Sequence, residues 1–250
     1  MNDRSSEMAI PGTHDRFLAF FAKLVGACFD KLSTLRVLDV GAGQGALSAK
    51  LRDAGFDVSA CELHPEIFKC DRVECREADL TQSLPYDDAA FDAAVAVEVV
   101  EHLVNPDRLF AEAARVLKPG GLFAISTPNI VSLKSRIRFL ACGFFYSFKP
   151  LDLENKHGLE HVSALTLDQY RYLAHRNGFE IVRICIDKRQ TSSMLLLVLL
   201  PLLWLMAKLQ RVPFAVHGKL DVLLGRKLFI AFRRGPQPKH PEPVEGARHG

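Results

Sequence analysis

The sequence predicts an α/β fold built on a mostly parallel, doubly wound sheet, and three observations carry that reading. Runs with strand character recur at 36–40, 57–61, 73–78, 92–97, 121–127 and 179–186, with helical patterns between them. The first run is apolar at Val37, Leu38 and Val40 without alternation, as in a strand buried on both faces. Directly after it, Gly41, Gly43 and Gly45 stand at alternate positions, where a strand can turn tightly into a helix. With 250 residues, 48% of them hydrophobic, the chain can bury one core and carry additions.

In chain order, residues 1–35 form an N-terminal region whose apolar run, Phe17 to Phe29, reads as a helix covering the sheet. Val25-Gly-Ala-Cys28 superficially resembles a lipoprotein cleavage site, but Asp3, Glu7 and Asp15 precede the run where a signal peptide carries net positive charge. The first strand and its glycine turn lead into a helix from Ala46 to Leu51, whose N-terminal amides point into the turn. Ala54-Gly55 stops that helix, and the next strand ends on Glu62 and Leu63. The third strand leads to Asp79 and Leu80, and the fourth, 92–97, to Glu98. Pro106 opens a helix to Leu117 that Lys118-Pro119-Gly120-Gly121 closes. The fifth strand, a helix from Thr166 to Asn177 and the sixth strand complete the unit 36–190, and Leu228 to Phe232, within 228–234, fits a closing strand.

The ligand of the glycine turn can be narrowed from its spacing. A dinucleotide fingerprint, Gly-x-Gly-x-x-Gly, has its third glycine one position later than Gly45. Asp39, ahead of the first glycine, would repel a pyrophosphate, but it suits a ligand carrying an ammonium and a sulfonium group. S-adenosylmethionine (SAM) has both. Glu62 lies about twenty residues past the glycines, where an acid reaches ribose hydroxyls in this fold class. Asp79 could accept from an adenine amino group.

Val37-Leu-Asp-Val-Gly-Ala-Gly-Gln-Gly45, Glu62, Asp79-Leu80, Phe91-Asp-Ala-Ala-Val-Ala-Val-Glu98, Glu101-His102-Leu103 and Arg115-Val-Leu-Lys-Pro-Gly-Gly121 stand together in this chain. In that combination, over roughly residues 36 to 186, the chain resembles the class I SAM-dependent methyltransferases, within them the branch that includes the quinone-biosynthesis O-methyltransferases. The resemblance implies a seven-stranded, mostly parallel Rossmann-like sheet with SAM lying across the strand ends. It implies cofactor contacts at Asp39, Gly41, Ala42, Gly43, Gly45, Glu62, Leu63, Asp79, Leu80 and Glu98. It also implies a cytosolic setting, since SAM is made there.

Methyl transfer to a hydroxyl needs positioning and removal of the hydroxyl proton. Two groups compete for that work. The quinone-type family holds a divalent ion with a Glu-x-x-Glu-His arrangement, matched here at Glu98, Glu101 and His102. A helix start whose acids favour its N-terminal dipole is the preferred reading of these residues, so no metal ligand is assigned and a divalent metal ranks second. His157 and His161, between the fifth strand and the Thr166 helix, lie where such enzymes hang acceptor-binding elements. His161, His157, Glu101 and His102 are the catalytic candidates, with His161 nearest the expected sheet end.

The additions set the chain apart from a minimal enzyme. Met194 to Ala207 is a run of fourteen residues without a strongly polar group, flanked by Lys188 and Arg189 on one side and Lys208 and Arg211 on the other. As helix it reaches ~21 Å, short of a ~30 Å hydrocarbon core, and Pro201 interrupts it. Residues 191–227 are therefore expected to form an interfacial or re-entrant membrane-contacting insertion before the last strand. Within 128–163, the expected acceptor lid, the stretch from Pro128 to Leu151 has no acid. Its Lys134, Arg136, Arg138 and Lys149 accompany apolar residues at helical spacing, which reads either as a second membrane contact or as a lid packed on the sheet.

The chain carries 32 basic and 29 acidic residues, a near balance that hides an acidic core and a basic periphery. That distribution favours an anionic membrane surface over nucleic acid, because no basic and aromatic stripe runs along the core. Cys61 and Cys185 fall in expected strands and no Cys-x-x-Cys pair exists, so the six cysteines are read as reduced. Residues 235–250, rich in proline and glycine, are expected to be a disordered tail.

The expected function is O-methylation of a lipophilic or lipid-linked small molecule by a cytoplasmic protein peripheral to the membrane. A soluble methyltransferase whose apolar insertion forms a dimer interface and a SAM-binding scaffold without catalysis are the alternatives. A nicotinamide-dependent oxidoreductase is disfavoured by the glycine spacing.

Overall fold

A computed structural model describes residues 12–29, 35–154, 160–214 and 217–236. Its sheet has seven strands: β1 Arg36–Val40, β2 Asp57–Glu62, β3 Glu74–Glu77, β4 Phe91–Val97, β5 Leu117–Pro128, β6 Phe179–Ile186 and β7 Lys227–Arg234. Their order is β3-β2-β1-β4-β5-β7-β6. The first five pair in parallel, and β7 runs antiparallel between β5 and β6. The expected seven-stranded, mostly parallel sheet is what the chain forms.

Five helices give the sheet its two layers: α1 Thr13–Gly26, α2 Ala46–Asp53, α3 Pro106–Val116, α4 Leu133–Cys142 and α5 Leu167–Arg176. Successive strand residues point to opposite faces, so Val37 joins one core and Leu38 the other. On the first face α1 presents Phe17, Phe21 and Val25, four apart and fully buried, with α2's Leu47 and Leu51 beside them. Phe17 meets Phe229 of β7 edge-on at 5.3 Å. The second face takes Leu109, Phe110, Ala113 and Val116 of α3 and Leu167, Tyr170 and Ala174 of α5. The N-terminal apolar run is thus a covering helix, beginning at Thr13 rather than Phe17.

One boundary differs from expectation for a local reason. Lys118-Pro119-Gly120-Gly121, read as a turn closing a helix, lies inside β5. Leu117 already pairs with Phe91, and the register shifts before pairing resumes at Ala93 and Leu122, so the proline and glycines form an irregularity in a strand. Gly120 takes φ +79° there, and Lys118 holds Asp92 at 2.7 Å.

The insertion divides into unlike parts. Thr191–Leu209 is one helical run of 19 residues, longer than its uncharged stretch and, at 1.5 Å per residue, about 28 Å long. By length and composition alone the run is long enough to cross a membrane, whereas the uncharged segment within it is not. Its α-helical turns give way to a 3-10 stretch at Leu195–Leu199, and Pro201 sits in the first turn of the α-helix that resumes at Leu200. A residue without an N–H starts a helical ladder at no cost but cannot continue one. The later short helix Leu220–Leu224 buries Val222, Leu223 and Leu224, and Lys227 belongs to β7. His157, residues 1–11 and most of the expected tail, from 237 on, lie outside the described residues. All six cysteines are free.

Candidate active site

The site lies at the carboxyl ends of β1, β2 and β4, where the three glycines turn the chain into α2. Gly41, Gly43 and Gly45 all take the left-handed conformation, at φ +68°, +53° and +84°. Their surroundings differ. A Cβ at Gly41 would stand 2.7 Å from Val99, and one at Gly45 2.7 Å from Phe68, so these two glycines permit close packing. A Cβ at Gly43 would meet nothing within 4 Å. Gly43 therefore faces open space, and its backbone can approach a ligand that a side chain would displace.

Glu62 ends β2 beside that opening. Its Oε2 accepts from the Gly43 N–H at 2.7 Å and its Oε1 from the Leu63 N–H at 2.8 Å. Leu63 is half exposed at the rim, and Leu80 reaches toward Gly41 from the next loop. Asp79 is exposed and ties down its own turn, with Oδ1 accepting from the N–H and hydroxyl of Thr81 at 2.8 and 2.7 Å. Asp39 sits behind the glycine loop rather than in it: buried, it accepts from the Ser48 hydroxyl of α2 at 2.6 Å. Burial pushes its pKa up to about 7, with the Ser48 hydrogen bond opposing and the charge of Glu62 adding.

After β4 the chain makes a tight turn that brings Val99 against the glycine loop and presents the second group of candidates. Glu98 holds φ +58°, strained for a residue with a side chain. Its carboxylate is held by the Lys227 ammonium at 2.5 Å and the Ser126 hydroxyl at 2.6 Å. Glu101, in the 3-10 turn Val100–His102, is fully buried, and neither of its carboxylate oxygens makes a well-formed hydrogen bond among the described residues, although the neighbouring Thr127 hydroxyl favours its charged form. Burial, then the neighbouring charge of Glu98, raises its pKa well above the usual carboxylate range.

The same turn is bound to the segment carrying His161. The Glu101 carbonyl accepts from the N–H groups of Val162 at 2.8 Å and Ser163 at 3.0 Å. His102 Nδ1 lies 3.1 Å from the Glu160 carbonyl, which can only accept, so Nδ1 carries the proton and Nε2 carries the lone pair. The His161 ring stands edge-on to His102 at 4.8 Å and against Phe148 at 5.3 Å. Burial, then the neighbouring His102, lowers the His161 pKa, which keeps its imidazole neutral at pH 7. One donor atom each from Glu101, His102 and His161 lie within 4.8 Å of one another.

The fold thus gathers three of the four catalytic candidates into one cluster, bringing His161 to the adjacent Glu101 and His102 from about 60 positions further along the chain. It takes Glu98 out of that cluster and into an ion pair. Lys227 was not among the sequence candidates, and its separation from Glu98 by well over a hundred positions hides the pairing. The chemistry of the cluster, one carboxylate and two imidazoles with an unsatisfied buried acid, fits either proton transfer or a divalent ion. The open crevice at Gly43, with an acid at its edge, fits SAM.

A profile of the methyltransferase domain family matches residues 13–184. The chain belongs to that family, and its fold is that of the SAM-dependent enzymes. Among curated relatives, a ubiquinone biosynthesis O-methyltransferase of Xylella fastidiosa is 38% identical over 107 residues, 39% of this chain and 44% of the relative. The protein of that name from Xanthomonas oryzae pv. oryzae is 36% identical over 107 residues, 39% of this chain and 45% of the relative. The match therefore spans less than half the length of either relative. A SAM-dependent methyltransferase structure from Mesorhizobium loti aligns with TM-score 0.53 at 18% identity, covering 85% of this chain and 96% of the other. Phosphoethanolamine N-methyltransferase 2 of Haemonchus contortus, in complex with SAM, aligns with TM-score 0.53 at 16% identity, over 89% of this chain and 53% of the other.

Proposed function

We propose that this protein transfers a methyl group from SAM to an oxygen of a lipophilic or lipid-linked small molecule, working in the cytoplasm at the membrane surface. The observation that carries the oxygen acceptor is the cluster of the buried Glu101 with the half-buried His102 and His161, on the turn whose Val99 packs against the glycine loop. The relatives' printed name, a ubiquinone biosynthesis O-methyltransferase, supports an oxygen on an apolar molecule.

SAM supplies a methyl group on a sulfonium; this chain's residues hold, orient and deprotonate. The amides of the Gly41–Gly45 loop and the Glu62 carboxylate would receive the cofactor's polar groups, and Asp79, Leu63 and Leu80 line the approach to its base. Asp39 fixes the loop from behind through Ser48. His161, neutral at pH 7 and with Nδ1 unpartnered among the described residues, would take the acceptor's hydroxyl proton. His102, with Nδ1 committed to the Glu160 carbonyl, would present Nε2 to the same proton or to the acceptor.

A second reading is favoured by Glu101 alone. A fully buried carboxylate with no well-formed hydrogen bond is costly unless it is protonated or meets a cation. Glu101, His102 and His161 would hold a divalent ion that acidifies the acceptor hydroxyl, with Glu98 kept on Lys227. Methyl-labelled SAM incubated with fractionated lipids and polar extracts tests the first reading: label should enter an apolar fraction, and His161→Ala should abolish that transfer while SAM affinity holds. Label entering only water-soluble products would refute the lipophilic acceptor. Exhaustive EDTA treatment separates the readings, because activity that survives chelation leaves His161 as the base and excludes the ion.

A further inference from the structure

We infer that α4 and the helical run Thr191–Leu209 together form a docking face that lies flat on an anionic lipid bilayer, the run packed lengthwise on the domain rather than crossing the membrane. Leu196, Leu197, Leu200 and Leu203 pack on Leu133 of α4 and on Leu223 and Leu224 of the short helix behind it. The N-terminal end is pinned as well, with the Gln190 N–H donating to the Leu224 carbonyl at 2.8 Å. A helix held along one side enters a bilayer only as deep as its free side reaches, on the order of 5–10 Å.

The free side is apolar too, which a helix resting on a soluble domain does not require. Leu195, Val198, Leu202, Leu205 and Leu209 follow one another at three or four residues and make a single exposed stripe, with Leu195 82% and Val198 79% accessible. Beside them α4 and the residues after it expose Ile137, Phe139, Leu140 and Phe144, Leu140 at 84%. Trp204, half exposed, carries the Lys208 ammonium over its ring at 5.2 Å, a pair suited to the boundary between headgroups and acyl chains.

Charge decides the occupant. From Asn129 to Leu151 and from Lys188 to Leu220 the sequence contains no acid, while Lys134, Lys149, Lys208, Arg211 and Lys219 are among their cations. An isologous dimer through this face would set each basic rim against its own copy, since a two-fold axis brings like residues together. An anionic bilayer meets the same rim with opposite charge while the leucines leave water. The inference rests on the proposed function for its purpose, because such a face would bring the site to a lipid-dissolved acceptor. Its evidence is independent of which molecule is methylated.

Sedimentation of the full-length protein with vesicles of phosphatidylcholine alone, or with phosphatidylglycerol added, tests the face. The protein should pellet with the anionic vesicles and at least about tenfold more weakly with the zwitterionic ones. Leu195→Glu with Leu202→Glu should abolish pelleting, and Lys208→Glu with Arg211→Glu should erase the anionic preference, both with SAM affinity unchanged as the measure of folding. A protein that ignores vesicles and sediments as a dimer, or one whose pelleting survives both pairs of substitutions, overturns the proposal. Vesicle binding without methylation of any lipophilic acceptor would instead refute the acceptor assignment and leave the face standing. Methylation of such an acceptor in detergent by a protein that ignores vesicles would do the reverse.

Discussion

The two halves of the sheet carry opposite surfaces. Around β1, β2 and β4, apolar side chains are inside, acids stand at strand ends, and open space occurs where Gly43 lacks a side chain. Beyond β5, a leucine-rich helix lies outside, with cations in and beside it and no acids along it. The first half is arranged to receive a small polar ligand, and the second carries the face proposed to meet an extended apolar phase. A fold can therefore keep its cofactor crevice almost independent of what is hung on the far edge of the sheet, where β7 runs antiparallel and sequence can be inserted between β6 and β7.

The sharpest way to break that comparison is at the glycines. Gly43→Val should abolish SAM binding by isothermal titration, since its side chain fills the open crevice, while the cooperative unfolding transition is kept apart from the strain of a left-handed residue. Gly41→Val should fail differently, by loss of folding, because its Cβ meets Val99 at 2.7 Å. Normal SAM affinity in a folded Gly43→Val protein would remove the crevice from consideration. Glu62→Ala comes next. It should weaken SAM binding by ~1–3 kcal/mol, because ligand hydroxyls lose their acceptor and the Gly43 and Leu63 amides lose the group that orders them.

How much of this was legible in the sequence follows the same division. Strand positions, the glycine turn, Glu62 and the two-faced burial of β1 could be read because they depend on local periodicity and backbone freedom. The meeting of His102 with His161, and of Glu98 with Lys227, could not. Those contacts depend on which strands become neighbours, and insertion of β7 between β5 and β6 places Lys227 near the β4 end with no local signal. Tyr170, whose hydroxyl donates to Thr127 at 3.1 Å inside the core, was hidden for the same reason. The apolar run announced itself by composition, yet its length as helix, and which side of it packs, required the positions of Leu133, Leu223 and Leu224.

Asp39 offers a smaller test confined to the crevice half. Its folded pKa of about 7 lies above the 3.8 of an unfolded aspartate, so the native state binds the extra proton between those values. Its protonated form contributes stability that is present in full below about pH 4 and is lost as pH rises to about 7. Asp39→Asn stays neutral and still accepts from the Ser48 hydroxyl. Thermal melts should show the variant gaining on the native protein by several degrees between pH 5 and pH 8. A constant difference across that range would show that the buried acid does not titrate there.

The smallest expected effect is the most telling about the two halves. Replacing residues 194–214 with a short flexible linker removes most of the exposed leucine stripe but keeps the Leu220–Leu224 helix and the Arg226–Asp187 ion pair, at 2.6 Å, that anchors β7 beside β6. The deletion exposes part of Leu133, Leu223 and Leu224, a loss of about 1–3 kcal/mol in stability spread over a surface remote from the glycines. None of the removed residues contacts Gly41–Gly45, Glu62 or the histidine cluster among the described interactions. SAM affinity should therefore remain within about twofold of the full-length value by isothermal titration. A larger change would mean that the insertion braces the cofactor crevice, and the division between a ligand half and a docking half would have to be given up.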